Sequence, residues 1–115
     1  MSILTVARFN IQAGKIDEFK RIAESCMAAV REKDKGVLRY DFYFNDDQSE
    51  CVVVEEYPDG AAVLNHIAIA GPFLGELTKV ASAKLQAFGT IPPELEPLIA
   101  RMGVDVYSPY MKLSR

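Results

Sequence analysis

Hydrophobic positions change their spacing along the chain, and each change marks an element. Ser2 to Ile11 is rich in Ile, Val, Thr and Phe, a strand composition, and Gln12-Ala13-Gly14 breaks it. From about Lys15 to Arg31, the residues Ile16, Phe19, Ile22, Cys26 and Val30 recur at intervals of three and four, one face of an amphipathic helix. Asp17 and Glu18 suit the dipole of its first turn. Lys33-Asp34-Lys35-Gly36 ends it, with Gly36 available for a left-handed cap or turn. Val37 to Phe44 and Cys51 to Tyr57 read as the strands of a hairpin, joined by the polar turn Asn45 to Ser49.

Pro58-Asp59-Gly60 stops the hairpin, and Asp59 is placed to cap a short helix from about Gly60 to Ile69. Gly71-Pro72 predicts an interruption before a further helix, about Phe73 to Ala83. A short strand over Leu85 to Phe88, a helix over Glu94 to Met102 with proline in its first turn, and a last strand from Val104 to Leu113 complete the reading. Pro109 confines that last strand to an edge or a bulge. The order predicts one α+β domain over residues 1–115 with a mostly antiparallel sheet.

The strands also predict a partner. Leu38, Tyr40, Phe42 and Phe44 go to one face of the second strand, with Val37 and Tyr43 on the other, and Val52, Val53 and Val54 put valine on both faces of the third. An antiparallel sheet with one wet face alternates apolar and polar residues instead. The helices of so small a domain cover one face, so a second copy is the expected cover for the other, giving a homodimer. The alternative is a monomer whose second face is half exposed and closed by its C-terminal segment.

Composition narrows the classes. Half the residues are hydrophobic, a quarter are charged and the formal net charge is −3, which leaves no basic footprint for nucleic acid. No apolar run reaches the roughly 18 residues that read as a membrane span, and the first ten residues lack the pattern of a secretory signal. Cys26 and Cys51 form no metal-binding spacing and read as two buried free thiols, which predicts a reducing, cytoplasmic setting. With a single histidine there is no recognisable metal-ligand set, and no glycine-rich phosphate loop, dinucleotide fingerprint or nucleophile elbow is present. The expectation is therefore a chain without cofactor.

The runs Gly36-Val37-Leu38-Arg39-Tyr40-Asp41, Val52-Val53-Val54-Glu55-Glu56-Tyr57-Pro58-Asp59 and Ala62-Val63-Leu64-Asn65-His66 resemble the antibiotic biosynthesis monooxygenase family. The likeness covers about residues 3 to 75, including Gly14 and Phe19 in the opening strand and helix, and the rest looks like a longer variant of the family's tail. The resemblance implies a ferredoxin-like fold with helices on one face of an antiparallel sheet, assembled through the sheets into a dimeric α/β barrel, with a pocket between sheet and helices. It also implies an oxidoreductase: a cofactor-independent monooxygenase acting on a small aromatic or quinol-like molecule. Other members isomerise or decarboxylate, degrade haem, or have no established activity. Tyr57 stands where the family usually has tryptophan, and this chain has none, which argues against haem degradation.

His66 shares a helix side with Val63, Ile67 and Ala70, so it should point inward. Imidazole is a usable base near neutral pH; the competing role is a buried histidine tying helix to sheet. Glu55 could orient or charge His66, or be a surface glutamate at a strand end. Tyr40 could donate a hydrogen bond to a substrate oxygen, or sit at an interface. Asn65 and Tyr57 are further candidates for substrate binding. Two rivals to the monooxygenase remain open: an isomerase of a small carbonyl metabolite using the same base, and a non-catalytic dimer that holds a small apolar ligand.

Overall fold

The computed structural model describes residues 2–115. Strand β1 (Ile3–Ile11) leads into helix α1 (Ile16–Lys33), followed by the hairpin β2 (Arg39–Phe44) and β3 (Glu50–Tyr57). Helix α2 (Gly60–Leu77) returns the chain to β4 (Ala81–Phe88). A single 3₁₀ turn (Pro93–Leu95), helix α3 (Glu96–Met102) and a short strand β5 (Asp105–Tyr107) complete the chain. The strand order is β2-β3-β1-β4-β5, antiparallel at each pairing except β4–β5, which is parallel. The first four strands make the ferredoxin-like arrangement that the resemblance implied.

Two parts of the fold expectation are overturned. The sheet is mixed, because β5 runs parallel to β4. It is also open: β2 and β5 are its two edges and pair with nothing beyond β3 and β4, so the sheet is not closed into a barrel. Closure around an interior filled by side chains takes about eight strands, and here helices fill that role on the inner face. The dimeric α/β barrel is therefore not the architecture of this structure.

The inner face is set by alternation along the strands. Ile3, Ala7 and Phe9 of β1, with Cys51, Val53 and Tyr57 of β3, turn inward and are buried. Helix α1 answers with Phe19, Ile22, Cys26 and Val30, the periodic stripe read from the sequence. Phe19 is fully buried edge-on to Phe9, with ring centres 5.5 Å apart, a burial worth about 1.5–3 kcal/mol. A second cluster joins Ile3, Tyr57, Ala62 and Val63 to Leu95 and Leu98, so the 3₁₀ turn and α3 close the far end of the same layer.

The expected break at Gly71-Pro72 does not occur, and α2 runs on through Pro72. A proline inside a helix removes one backbone donor and strands the carbonyl four residues earlier. Here Pro72 and Ala68 are both exposed, so water can satisfy that carbonyl. By length and mean hydropathy (1.2) α2 could cross a membrane, but it is the central helix of the domain, burying Ala62, Val63, His66, Ala70 and Leu77. Residues 81–83, expected in a helix, belong to β4, and the last strand shrinks to Asp105–Tyr107 just before Pro109.

Candidate active site

Helix α2 aims its histidine inward. The Asp59 side chain accepts a hydrogen bond from the Ala62 N–H at 2.9 Å and fixes the start of the helix. With the start fixed, Val63, His66 and Ala70 fall on the face turned to the sheet and α1, and His66 is only 2% exposed.

The partner that holds His66 is Asp34, which sequence reasoning passed over as part of a helix stop. Asp34 caps α1 in an extended conformation, and its Oδ1 accepts from the N–H groups of Gly36 (3.1 Å) and Val37 (3.2 Å). That clamp leaves Oδ2 to meet His66 Nδ1 at 2.7 Å. A carboxylate only accepts, so Nδ1 is the donor in this pair and Nε2 is the ring nitrogen turned toward the cavity. Gly36 is not in the left-handed conformation expected for it. It serves close approach instead: a Cβ here would lie 3.3 Å from Cβ of Ala62 on α2. The available signal was an aspartate at a helix end followed by a glycine, which fits any turn equally well.

On the other side of the ring, Glu55 Oε1 lies 3.5 Å from Nε2. Register places Glu55 beside Thr5 of β1 and Tyr40 of β2. The Tyr57 hydroxyl donates to Glu55 Oε1 in a short hydrogen bond. Burial raises the Glu55 carboxyl above its ordinary range, outweighing the opposing pull of His66 and of the Tyr57 hydrogen bond. Burial likewise drives both nearby phenols far above the usual tyrosine range, with the Glu55 charge adding to the effect at Tyr57 and the Cys26 thiol at Tyr40. Both tyrosines are therefore neutral donors. Their rings meet His66 edge-on, with centres 4.8 Å (Tyr40) and 5.4 Å (Tyr57) away. Behind Tyr40, the Cys26 sulfur lies 3.1 Å from its hydroxyl. Both cysteines are free and buried, as expected, and desolvation pushes Cys51 up to about 11.

These groups form one end of a cavity of about 110 Å³ between sheet and helices. His66, Glu55, Tyr57 and Tyr40 line it, while Leu77, Leu85, Leu95, Leu98 and Ile99 make the rest of its wall apolar, and no lysine or arginine is among the lining residues. Asn65 is exposed to solvent and does not line the cavity. Among the described residues, no group of three or more His, Cys, Asp and Glu is arranged to hold a metal ion.

A histidine between two carboxylates in an apolar chamber can remove and return a proton. The sequence match says in which family this arrangement sits: residues 2–68 fit the model of the family described as antibiotic biosynthesis monooxygenase. The chain belongs to that family. No curated protein matches it at the same level. Among solved structures, it is similar to MupZ from Pseudomonas fluorescens, at 22% identity and a TM-score of 0.82 over 99% of this chain and 94% of that one. It is also similar to Rv0793 from Mycobacterium tuberculosis (16% identity, TM-score 0.69, 80% and 97% covered). A third is SnoaB from Streptomyces nogalater, described as a cofactor-independent oxygenase (20% identity, TM-score 0.65, 76% and 90% covered). At these identities the structural likenesses speak for the fold.

Proposed function

We propose that this family member is a cofactor-independent monooxygenase of a small, neutral aromatic or quinol-like substrate, with His66 as the base. The observation that carries the reading is the Asp34–His66–Glu55 line at the polar end of an otherwise apolar cavity. His66 Nε2 takes the proton of a phenolic hydroxyl, and Asp34 stabilises the imidazolium that results. The electron-rich phenolate passes one electron to dioxygen, and the radical pair combines at a ring carbon to give a peroxide. Loss of water from the peroxide leaves the quinone, so one oxygen atom enters the product and the other leaves as water. The apolar walls keep water from quenching the intermediates. The Glu55 carboxyl, raised by burial and bonded to Tyr57, is the acid on the cavity wall beside His66. The lining holds the Glu55 carboxyl and no lysine or arginine to balance an anion, which is why a neutral phenol suits it.

The test is oxygen uptake with a panel of phenols and quinols, in wild type and His66→Ala. The reading expects one O₂ consumed per quinone formed and a fall of about 10²–10⁴-fold in kcat for the variant. Equal uptake by both proteins refutes it. The base-and-acid pair at 3.5 Å also favours a second reading, isomerisation of a small carbonyl compound, in which His66 removes a proton and Glu55 returns one. Turnover that persists without oxygen decides for the second.

The outer face of the sheet supports a homodimer. Leu4, Val6, Val52 and Val54 turn away from the helices, and Phe88 stacks on Tyr107 beside them at 5.2 Å. Pairing two copies through this patch removes it from water. Sedimentation of wild type and Val54→Lys checks this, with a dimer expected for the first and a monomer for the second.

A further inference from the structure

We infer that Met102 is a partition between the reaction cavity and an open groove, and that the substrate carries an apolar tail which passes this partition. The cavity alone, at about 110 Å³, is spent by a single ring, since a protein cavity of roughly 150 Å³ takes one benzene. Beside it, between the end of α2, the start of β4 and the end of α3, lies a groove of about 450 Å³ open to solvent. Leu74, Leu85 and Met102 line both spaces. They are the wall between them, and none of the three is fully buried.

Of these, Met102 is the one able to move aside. Leu85 is fixed by pairing with Ala7 across the β1–β4 ladder, and Leu74 lies within α2. Met102 is the last residue of the seven-residue α3, and Gly103 follows it in the left-handed conformation that ends the helix. Methionine has three rotatable bonds and adapts to irregular space. The groove lining is mixed, with Ala81 and Ala83 beside Thr78, Ser82 and Lys84, which suits an apolar chain leading to a polar end. Cavity and groove together reach the volume usual for a small-molecule site, which the cavity alone does not.

The proposal rests on reading the cavity as the reaction chamber, but not on which reaction occurs there. Its test is calorimetric binding of 4-methylphenol and 4-hexylphenol to the full chain in three variants. Met102→Ala opens the partition and should tighten 4-hexylphenol about tenfold relative to 4-methylphenol. Met102→Trp should do the reverse to the long ligand. Ala83→Trp fills the exposed groove at a residue that does not line the cavity, and should weaken 4-hexylphenol more than 4-methylphenol. Affinities for 4-hexylphenol that ignore all three changes, or affinities for both ligands that move in step, overturn the partition. Binding that follows the expected pattern with no oxygen uptake leaves the partition standing and removes the monooxygenase reading instead.

Discussion

The part of the chain matched by the family model and the part beyond it furnish different things to one cavity. Every titratable side chain on the wall, His66, Glu55, Tyr40, Tyr57 and Cys26, lies within residues 2–68, as does Asp34 behind His66. From residue 69 onward the lining is apolar apart from Gln86: Leu74, Leu77, Leu85, Leu95, Leu98, Ile99 and Met102 contribute shape and no proton chemistry. The division separates how a proton is moved from what may approach it. A family model that stops at residue 68 therefore covers all of the titratable lining and leaves the far part of the apolar wall unmatched.

The sharpest way to break this division is to strike the chemistry without touching the wall. Asp34→Asn keeps the shape but lets Nδ1 lose its fixed hydrogen and removes the charge that stabilises imidazolium. kcat should fall about 10²–10³-fold with KM little changed, as read by steady-state kinetics. The converse strike is Leu98→Ala, at a residue only 8% exposed and packed among Leu95, Ile3 and Tyr57. Denaturant unfolding should show a loss of about 2–5 kcal/mol, with kcat per folded molecule reduced far less than in Asp34→Asn. If Leu98→Ala instead abolishes turnover in protein that remains folded, the wall is part of the chemistry and the division fails.

Glu55 supplies a smaller, pH-dependent test. Its carboxyl sits above the ordinary value of 4.5, so the folded state holds a proton that the unfolded state has released. Stability attributable to this group is complete below pH 4.5 and declines as pH rises toward the folded-state value. Glu55→Gln cannot ionise, so its melting temperature relative to wild type should climb between pH 4 and pH 8. A difference that is flat or shrinks with pH contradicts the raised carboxyl. Smaller again is the Asp59→Ala change at the α2 cap, expected to cost about 1 kcal/mol of stability. Asn65→Ala, on the exposed side of α2, should shift neither stability beyond about 0.5 kcal/mol nor kcat.

Local pattern and tertiary consequence were not equally legible in the sequence. The stripe of α1, the hairpin and the Asp59 cap are written in short-range spacing, and the structure returns them with shifts of a residue or two at their ends. The inward direction of His66 followed from Val63, Ile67 and Ala70 in the same way. Asn65, one residue away, is rotated about a quarter turn around the helix and faces solvent, so nearness in sequence misled there. Gly71-Pro72 misled because breaking power depends on whether the orphaned carbonyl is buried, which only the folded chain decides. Asp34 acquires its role from a residue 32 positions further along the chain, and nothing local distinguishes it from any other aspartate at a helix end. The mixed sheet depended on the direction in which the short β5 pairs with β4, which a strand pattern over Val104 to Leu113 does not specify.

Gly36 performs no chemistry, yet one added methyl group there would meet Ala62 at 3.3 Å and lever the loop away from α2. The hydrogen bond from His66 to Asp34 spans the same seam, so a displacement of a few tenths of an ångström is enough to slacken it. The glycine acts as a shim: its lack of bulk sets the clearance at which Asp34 meets His66. Damage at that position should register as a loss of reactivity long before it registers as a loss of shape.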